Sequence, residues 1–325
     1  MTEKLWAGVD IGGTKTAVLI SAQPPAVLKR LEFATLPANG PGPAIDQIKS
    51  LLGSMLGELD ADRASIAGIG VSCGSPLDAR RGIIQAPPNL PTWIDVPIVD
   101  ILQAEFGCPV YLENDANAGA LAENRFGAGK GARNMVFLTM GTGFGAGIII
   151  DGRIYQGTNG NAGEIGHVRL TADGPVGYHK SGSAEGWVSG GGVAQWAVSL
   201  VEEARKAGEA SLLMNLPAGQ SVTARDVGMA ANEGDALACR IVARLGEKLG
   251  HALAILVDLL NPERIVVGGL AMRLGERLFA PARRSLAQEA LPHSVAVCEV
   301  VPAALGERIG DVAALCIAMD AGARN

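Results

Sequence analysis

Residues 5–21 read LWAGVDIGGTKTAVLIS, and this stretch indicates the fold. Mostly apolar residues flank a Gly12-Gly13-Thr14 turn and predict two strands, Leu5–Val9 and Thr16–Ser21, that form a hairpin. Asp10 ends the first strand, beside a turn whose backbone N–H groups can point at an anion. A charge next to a buried strand is costly unless it is paired or near a metal. The turn is therefore a candidate phosphate site, although glycine hairpins are also common without a ligand.

The same pattern returns at residues 135–150, which read MVFLTMGTGFGAGIII. It predicts a strand at Met135–Met140, a glycine turn at Gly141–Gly145 and a second strand at Ala146–Ile150. The turn matches neither a Walker A loop nor the dinucleotide fingerprint, because no Gly-Lys-Ser/Thr follows and the next element is a strand. Two such units, each followed by helical segments, predict an internal duplication of one α/β architecture.

Composition excludes several classes of protein. The chain has 325 residues, enough for about two domains, and 48% of them are hydrophobic and 18% charged, which excludes disorder. No run approaches the roughly 20 apolar residues of a membrane span. The net charge of −6 gives no electrostatic footprint for nucleic acid. The first residues lack the pattern of a secretory signal, so we expect a cytoplasmic protein without a membrane or nucleic-acid partner.

Glycine and cysteine counts carry further information. Glycine supplies 44 residues, nearly twice the usual share of about 7%. Many glycines follow strand-like runs, which indicates backbone that approaches a ligand closely. The five cysteines form no Cys-x-x-Cys pair and are odd in number, so neither a disulfide framework nor a cysteine zinc cluster is indicated.

Two further clusters carry chemistry. Asn114 and Asp115 follow a predicted strand and precede a predicted helix, Ala116–Phe126. They could cap that helix, or Asp115 could act as a general base while Asn114 orients a substrate hydroxyl. Gly163-Glu-Ile-Gly-His167, with Glu185 further on, offers carboxylate and imidazole groups that suit vicinal hydroxyls. A solvated loop with scattered polar residues is the alternative for this second cluster.

Six motifs together resemble the ROK family of bacterial sugar kinases and related repressors, within the actin-like ATPase superfamily. They are Asp10-x-Gly-Gly-Thr-Lys, Asn89-Leu-Pro-x-Trp93, Asn114-Asp-Ala-Asn117, Gly141-Thr-Gly-Phe-Gly145, Gly163-Glu-Ile-Gly-His167 and Asn261-Pro-Glu-Arg-Ile-Val-Val-Gly-Gly269. The resemblance implies a two-lobed, ribonuclease H-like α/β fold with duplicated mixed sheets flanked by helices. We expect a small N-terminal lobe at residues 1–115, with a C-terminal helix at 308–325 packing on it, and a larger lobe at residues 116–307.

The resemblance also implies an ATP-dependent kinase for the C6 hydroxyl of a hexose. Glucose is the leading substrate, and N-acetylmannosamine, N-acetylglucosamine and fructose are alternatives. Asp115 would be the catalytic base, and the sugar contacts would be Asn89, Asn114, Glu164, His167 and Glu185. ATP and its phosphates would contact Asp10, Gly12, Gly13, Thr14, Lys15, Gly141, Thr142, Gly143, Gly268 and Gly269. Asp10 would also organise Mg²⁺ through water.

One departure from the family concerns zinc. Members commonly carry three cysteines that bind structural zinc together with the histidine of the Gly-His pair. The corresponding positions here are Val176, Tyr178 and Ser183, which are poor or impossible zinc ligands. We predict no structural zinc, His167 kept for the sugar, and a loop held by packing through Tyr178 and Trp187.

Two other functions can be weighed against the kinase. Family repressors carry a helix-turn-helix segment before the Asp-x-Gly motif, and only nine residues precede Asp10, so we do not expect a repressor. A sugar-responsive regulator without catalysis is a remote alternative, against which Asp115 argues. The resemblance makes a homodimer or a homotetramer plausible, and the residue pattern does not choose between them.

Overall fold

The structure is a computed structural model that describes residues 4–217 and 220–321. The chain divides into two compact units. The first unit comprises Met1–Gly127, Gln156–Gly160 and Glu307–Asn325, and the second comprises Ala128–Tyr155 and Asn161–Gly306. The helix that begins at Asp115 therefore belongs to the N-terminal unit. The boundary between the two units falls after Gly127 rather than after Asp115.

In chain order the strands are β1 (Leu5–Ile11), β2 (Lys15–Ser21), β3 (Lys29–Ala34), β4 (Ile66–Cys73), β5 (Leu77–Asp78), β6 (Ile83–Ile84), β7 (Val110–Asn114), β8 (Met135–Met140), β9 (Phe144–Ile150), β10 (Arg153–Ile154), β11 (Val176–Gly177), β12 (Lys180–Ser181), β13 (Arg264–Val267) and β14 (Glu299–Pro302). The helices are α1 (Pro41–Glu58), α2 (Ile98–Phe106), α3 (Asp115–Phe126), α4 (Ala184–Val188), α5 (Gly190–Lys206), α6 (Ala224–Asn232), α7 (Ala236–Leu260), α8 (Leu270–Leu274), α9 (Glu276–Glu289), α10 (Pro292–Val295) and α11 (Ile309–Ala321).

Each unit is built on a mixed sheet of five strands with the same plan. The first sheet has the order β3-β2-β1-β4-β7 and the second the order β10-β9-β8-β13-β14. In both sheets, two antiparallel strands are joined by a glycine turn. The first strand of this hairpin pairs on its other side with a parallel strand, β4 for β1 and β13 for β8. The predicted duplication of mixed sheets flanked by helices is thus confirmed.

The central strands are buried on both faces, as strands covered by helices on each side should be. Every residue of β4 except one is buried, and β8 is buried except at Thr139. The edge strand β3 is half-buried to exposed along its length, so its sequence carries little apolar periodicity. For this reason the sequence pattern does not predict β3.

Helix α11 packs directly on the first sheet because glycines in the strands leave room for it. A Cβ atom on Gly70 would lie 2.1 Å from the carbonyl oxygen of Ala314, and one on Gly8 would lie 2.9 Å from the Cβ of Ala314. Real Cβ atoms do not approach other atoms so closely, so a larger residue would push the helix away. Residues 322–325 of the predicted C-terminal helix lie outside the described residues.

The second unit carries a cluster of helices beside its sheet. Helix α7 is amphipathic, with fourteen buried residues, and ends at Asn261 in the left-handed conformation. The glycine-rich sequence at residues 157–192 predicts mostly loop, with a helix beginning at Val193. That prediction is wrong at its end, because α5 begins at Gly190. Among residues 4–217 and 220–321, no helix is long and apolar enough to cross a membrane.

Candidate active site

Polar residues collect at the carboxyl ends of the parallel strands in the first sheet. Strand register places Asp10 of β1 opposite Ser72 of β4, and Ser72 opposite Glu113 of β7. Ligands in open α/β sheets bind outside such strand ends. The row is therefore where a site is expected in this unit.

The Asp10 carboxylate is half-buried, and its pKa is raised to about 6. Burial is the main cause, followed by the negative charges of Asp115 and Asp311, while a hydrogen bond from Ser72 and the charge of Lys15 lower the pKa. A Cβ atom on Gly310 would lie 2.3 Å from Oδ2 of Asp10, so the carboxylate rests against the backbone at the start of α11. A cation beside Asp10 would relieve this excess of negative charge.

The first glycine turn is braced by threonines. The N–H of Gly12 donates to the carbonyl of Lys15 at 3.0 Å, which closes the hairpin. The Thr35 hydroxyl donates to the carbonyl of Gly12 at 2.7 Å, and the Thr35 N–H donates to the carbonyl of Thr14 at 3.1 Å. Thr35 is also within 2.9 Å of the buried Thr16 hydroxyl. Sequence reasoning missed Thr35, because nothing local links it to Gly12, which lies 23 residues away.

Asn89 lies where a ligand contact was predicted. A Cβ atom on Gly13 would fall 2.7 Å from both the Cβ and the carbonyl oxygen of Asn89, so the two segments touch. Its side-chain amide lies near Gly74, just after β4, and the residue is exposed. The structure thus brings Asn89 to the same strand ends as Asp10.

Thr14 and Lys15 are both exposed at the first turn. The Lys15 ammonium lies 3.3 Å from Oε2 of Glu32 on β3, and both side chains are largely solvent-exposed. The structure therefore gives Lys15 an acidic neighbour on the edge strand.

Asn114 and Asp115 begin helix α3. The Asn114 side-chain oxygen accepts the N–H of Asn117 at 2.8 Å, so the cap that the sequence suggested is present. Asp115 is the first residue of α3 and is exposed as a whole residue. Desolvation by the protein around it raises its pKa, while N–H groups of Ala116 and of Asp115 itself lower it. A raised pKa improves a carboxylate as a base.

The second glycine turn is braced by the start of α5. The N–H of Gly190 donates to the carbonyl of Gly141 at 2.7 Å, and that of Gly191 donates to the carbonyl of Thr142 at 3.4 Å. The Ser189 hydroxyl caps the helix by accepting the N–H of Gly192 at 3.0 Å. Glycines in the first turn of α5 allow this close approach, which gives a role to residues that the sequence left unexplained.

Glu185, Glu164 and His167 are brought together in the second unit. Oε2 of Glu185 accepts the N–H of Phe144 at 3.1 Å, directly after the second turn. A Cβ atom on Gly166 would lie 2.1 Å from the carbonyl of Phe144 and 3.3 Å from the Cβ of Glu185. Glu164 and His167 flank this glycine and are both exposed. The three predicted sugar contacts thus gather beside the start of β9.

Gly268 and Gly269 lie next to the strand that leads into the second turn. The N–H of Gly268 donates to the carbonyl of Leu138 at 2.9 Å. Gly269 has φ 69°, and a Cβ there would lie 2.2 Å from the carbonyl of Met140. Only glycine fits this position, so the predicted adenosine contact adjoins the predicted phosphate turn.

The loop at residues 169–187 is held by hydrogen bonds and one buried tryptophan. The Trp187 indole N–H donates to the Thr171 hydroxyl at 2.7 Å, and Arg169 donates to the carbonyl of Ser181 at 2.7 Å. Ser183 caps α4. Tyr178 is 65% exposed in a hairpin turn, and its ring contacts only the edge of the loop at His167, with the ring centroids 6.2 Å apart. Trp187 is buried and packs the inside of the loop.

The described residues contain no group of three or more histidine, cysteine, aspartate or glutamate side chains that could hold a metal ion. The absence of structural zinc stays a prediction. For Mg²⁺, proteins commonly provide only one or two carboxylates and leave the rest to phosphate and water. Asp10 fits that pattern.

The fold and these turns define the class of protein. Two mixed sheets of equal plan, each with a glycine turn at the strand ends, are the actin-like ATPase fold. The ROK family model matches residues 6–321. The chain belongs to the ROK family.

Known relatives include both enzymes and regulators. A glucokinase of Halalkalibacterium halodurans is 34% identical over 312 residues, 95% of this chain and 93% of that protein. A xylose repressor of Caldicellulosiruptor bescii is 32% identical over 224 residues, 69% of this chain and 55% of the repressor. The crystal structure of a ROK family glucokinase from Streptomyces griseus in complex with glucose and AMPPNP has a TM-score of 0.76 at 30% identity, covering 97% of this chain and 99% of that one.

Proposed function

We propose that this protein is an ATP-dependent hexose kinase that phosphorylates the C6 hydroxyl of glucose. The observation that carries the proposal is Asp115, an exposed residue whose carboxylate has a raised pKa, at the start of a capped helix. Similarity to glucokinases over nearly the full length of both chains supports the substrate.

In the proposed step, Asp115 accepts the proton of the C6 hydroxyl. The hydroxyl oxygen then attacks the γ-phosphorus of ATP, the bond from that phosphorus to the bridging oxygen breaks, and ADP leaves with the electron pair. Catalysis of this kind depends on position and charge stabilisation more than on covalent chemistry. A base with a pKa moved toward neutrality performs best near pH 7.

Phosphate contacts come from both glycine turns in this proposal. The backbone N–H groups of Gly13, Thr14, Thr142 and Gly143 would face phosphate, whereas Gly12 and Gly141 would approach it with their N–H groups donating to the carbonyls of Lys15 and Gly143. Gly268-Gly269 would lie against adenosine. Asp10 would hold Mg²⁺, and a bound Mg²⁺ neutralises charge on the β- and γ-phosphates. Lys15 would add a positive charge to this set, shared with Glu32.

Sugar contacts would come from Asn89, Asn114, Glu164, His167 and Glu185. The Asn114 cap uses its oxygen, so its amide N–H₂ is the group proposed for the sugar. Oε2 of Glu185 is held by Phe144, which fixes the direction of the carboxylate toward its ligand. Fixed acceptors of this kind favour vicinal hydroxyls.

A panel of hexoses tests the proposal. ADP release would be measured with ATP and Mg²⁺ over glucose, N-acetylmannosamine, N-acetylglucosamine and fructose, and the phosphorylated position read by NMR. We expect the highest kcat/KM with glucose and product phosphorylated at C6. Turnover with another hexose alone would correct the substrate. If no sugar supported turnover while glucose still bound, the regulator would replace the kinase. Cytoplasmic localisation and a homo-oligomeric state stay predictions.

A further inference from the structure

Glu113 is a buried carboxylate immediately before the proposed sugar contact and base. It is 5% exposed and ends strand β7. A buried charge is tolerated only when its oxygens are well hydrogen-bonded. Three N–H donors, from three different residues, reach the two carboxylate oxygens of Glu113. The positions of these residues indicate the role of the carboxylate.

Two donors come from the start of α3. Oε1 of Glu113 accepts the backbone N–H of Asn114 at 3.0 Å and the side-chain amide of Asn117 at 2.9 Å. Asn117 in turn donates its backbone N–H to the Asn114 cap. The carboxylate therefore ties together the residues on both sides of Asp115.

The side-chain amide of Asn117 is turned toward Glu113. Its amide nitrogen faces the carboxylate, while Oδ1 is buried without a hydrogen-bond partner among the described residues. Leaving a buried acceptor unpaired costs about 1–3 kcal/mol. A charge-assisted bond to Glu113 offsets that cost, since such bonds are about twice as strong as neutral ones.

The third donor is distant in sequence. Nε2 of Gln156 donates to Oε2 of Glu113 at 2.5 Å. Gln156 opens the short segment Gln156–Gly160, which belongs to the first unit although the residues on either side of it belong to the second. Gly163-Glu-Ile-Gly-His167 follows three residues after that segment ends.

We propose that Glu113 and Gln156 form a positioning pair that sets Asp115 and Asn114 for the sugar hydroxyl. Glu113 fixes the helix start, and Gln156 fixes the rotation of the Glu113 carboxylate. Neither residue is proposed to touch substrate. The proposal rests on the kinase function and adds two residues to it, neither of which belongs to the six motifs.

Four variants test the pair: Gln156→Met, Gln156→Glu, Glu113→Gln, and the double variant Glu113→Gln/Gln156→Glu. Gln156→Met keeps the size and removes the donor, and we expect kcat for the sugar to fall about tenfold. That is less than the roughly hundredfold cost of a 1 Å misplacement. Gln156→Glu sets two carboxylates against each other and should lower kcat further.

Rescue separates positioning from folding. In the double variant, an amide at position 113 can still accept from Asn114 and Asn117 and can donate to a carboxylate at 156. We expect kcat to return to within about threefold of the wild type. Gln47→Met, on the exposed face of α1, is the matched control and should leave kcat and KM unchanged.

The outcomes distinguish the two proposals. No turnover by the wild type would refute the kinase function itself. Suppose that Gln156→Met and Gln156→Glu both keep the wild-type kcat while Asp115→Asn abolishes turnover. That result would overturn the positioning pair and leave the kinase function standing. A loss of kcat in Gln156→Glu that the double variant fails to rescue would also overturn it, and thermal unfolding midpoints would show whether folding is the cause.

Discussion

The two glycine turns occupy the same place in sheets of the same strand order, yet different groups brace them. Side-chain hydroxyls of Thr35 and Thr16 hold the first turn, and backbone N–H groups at the start of α5 hold the second. Two residues before the turn stands Asp10 in the first unit and Thr139 in the second. The duplicated architecture therefore provides two turns that we propose bind phosphate, while the carboxylates proposed for metal and proton transfer belong to the first unit alone.

The comparison is tested most strongly at Asp115. Asp115→Asn keeps the shape of the side chain but removes the base, and we expect kcat to fall about 10²–10⁴-fold. Binding of glucose, measured by calorimetry, should change little because the amide can still accept a hydrogen bond. Retention of a near-normal kcat would remove Asp115 from its role and with it the assignment of the chemistry to the first unit.

The buried charge of Asp10 should lower the free energy of unfolding of the protein. The pKa of its carboxyl is about 6 in the folded protein, above the ordinary 3.8, so burial penalises the charged form. Asp10→Asn should therefore raise the free energy of unfolding, by at most about 3 kcal/mol above pH 6.

As the pH falls from 6 toward 3.8, the folded protein binds the proton first and the advantage of Asp10→Asn should disappear. Urea unfolding at pH 8 and pH 4.5 measures the difference. An equal gain at both values would show that charge burial is not its cause. Turnover should be lost at every pH.

Adding a methyl group next to the Asp10 carboxylate and adding one next to the Glu185 carboxylate should give different kinetic defects. Gly310→Ala forces Asp10 to move, since the new Cβ would lie 2.3 Å from its Oδ2, and we expect kcat/KM for MgATP to fall at least about tenfold. Gly143→Ala puts a Cβ 2.9 Å from Oε2 of Glu185, in a turn also proposed to bind phosphate, so we expect a smaller effect that reaches KM for the sugar as well as kcat/KM for MgATP.

Gly53→Ala on α1 is the control for both substitutions, because a Cβ there meets nothing within 4 Å. It should leave all constants unchanged. If Gly143→Ala left KM for the sugar unchanged, the contact of this turn with Glu185 would not position a sugar ligand.

Lys15 should matter far less than Asp10. It pairs with Glu32 at the surface, and exposed ion pairs contribute about 0.2–1 kcal/mol. We expect Lys15→Met to raise KM for ATP less than about fivefold. A larger rise would mean that Lys15 leaves Glu32 to bind phosphate.

The smallest effect expected is that of a chelator on the loop of the second unit. Elemental analysis should find no stoichiometric zinc, and EDTA without Mg²⁺ should leave the thermal midpoint unchanged. The loop has Val176 and Ser183 where thiolates would be needed. One zinc per chain would contradict this prediction.

Local pattern predicted most of the architecture. The hairpins and their glycine turns follow from apolar runs broken by glycine, and the helix at Ala116–Phe126 follows from its Ala, Leu and Glu content. The structure extends each by a few residues at most. The edge strand β3 and the start of α5 were missed. Exposure removes apolar periodicity from β3, and three glycines at the start of α5 resemble a loop until the carbonyls that their N–H groups approach are known.

The sequence by itself determined the two turns, the hairpin strands on either side of them and the polar residues at strand ends, because these depend on neighbours in the chain. The tertiary structure alone decided that Thr35 braces Gly12, that Gly310 supports Asp10, and that Gln156 holds Glu113. Such contacts join residues far apart in sequence, and a single hydrogen bond or close approach leaves no periodic trace. Only packing of the folded chain selects which distant residue fills each place.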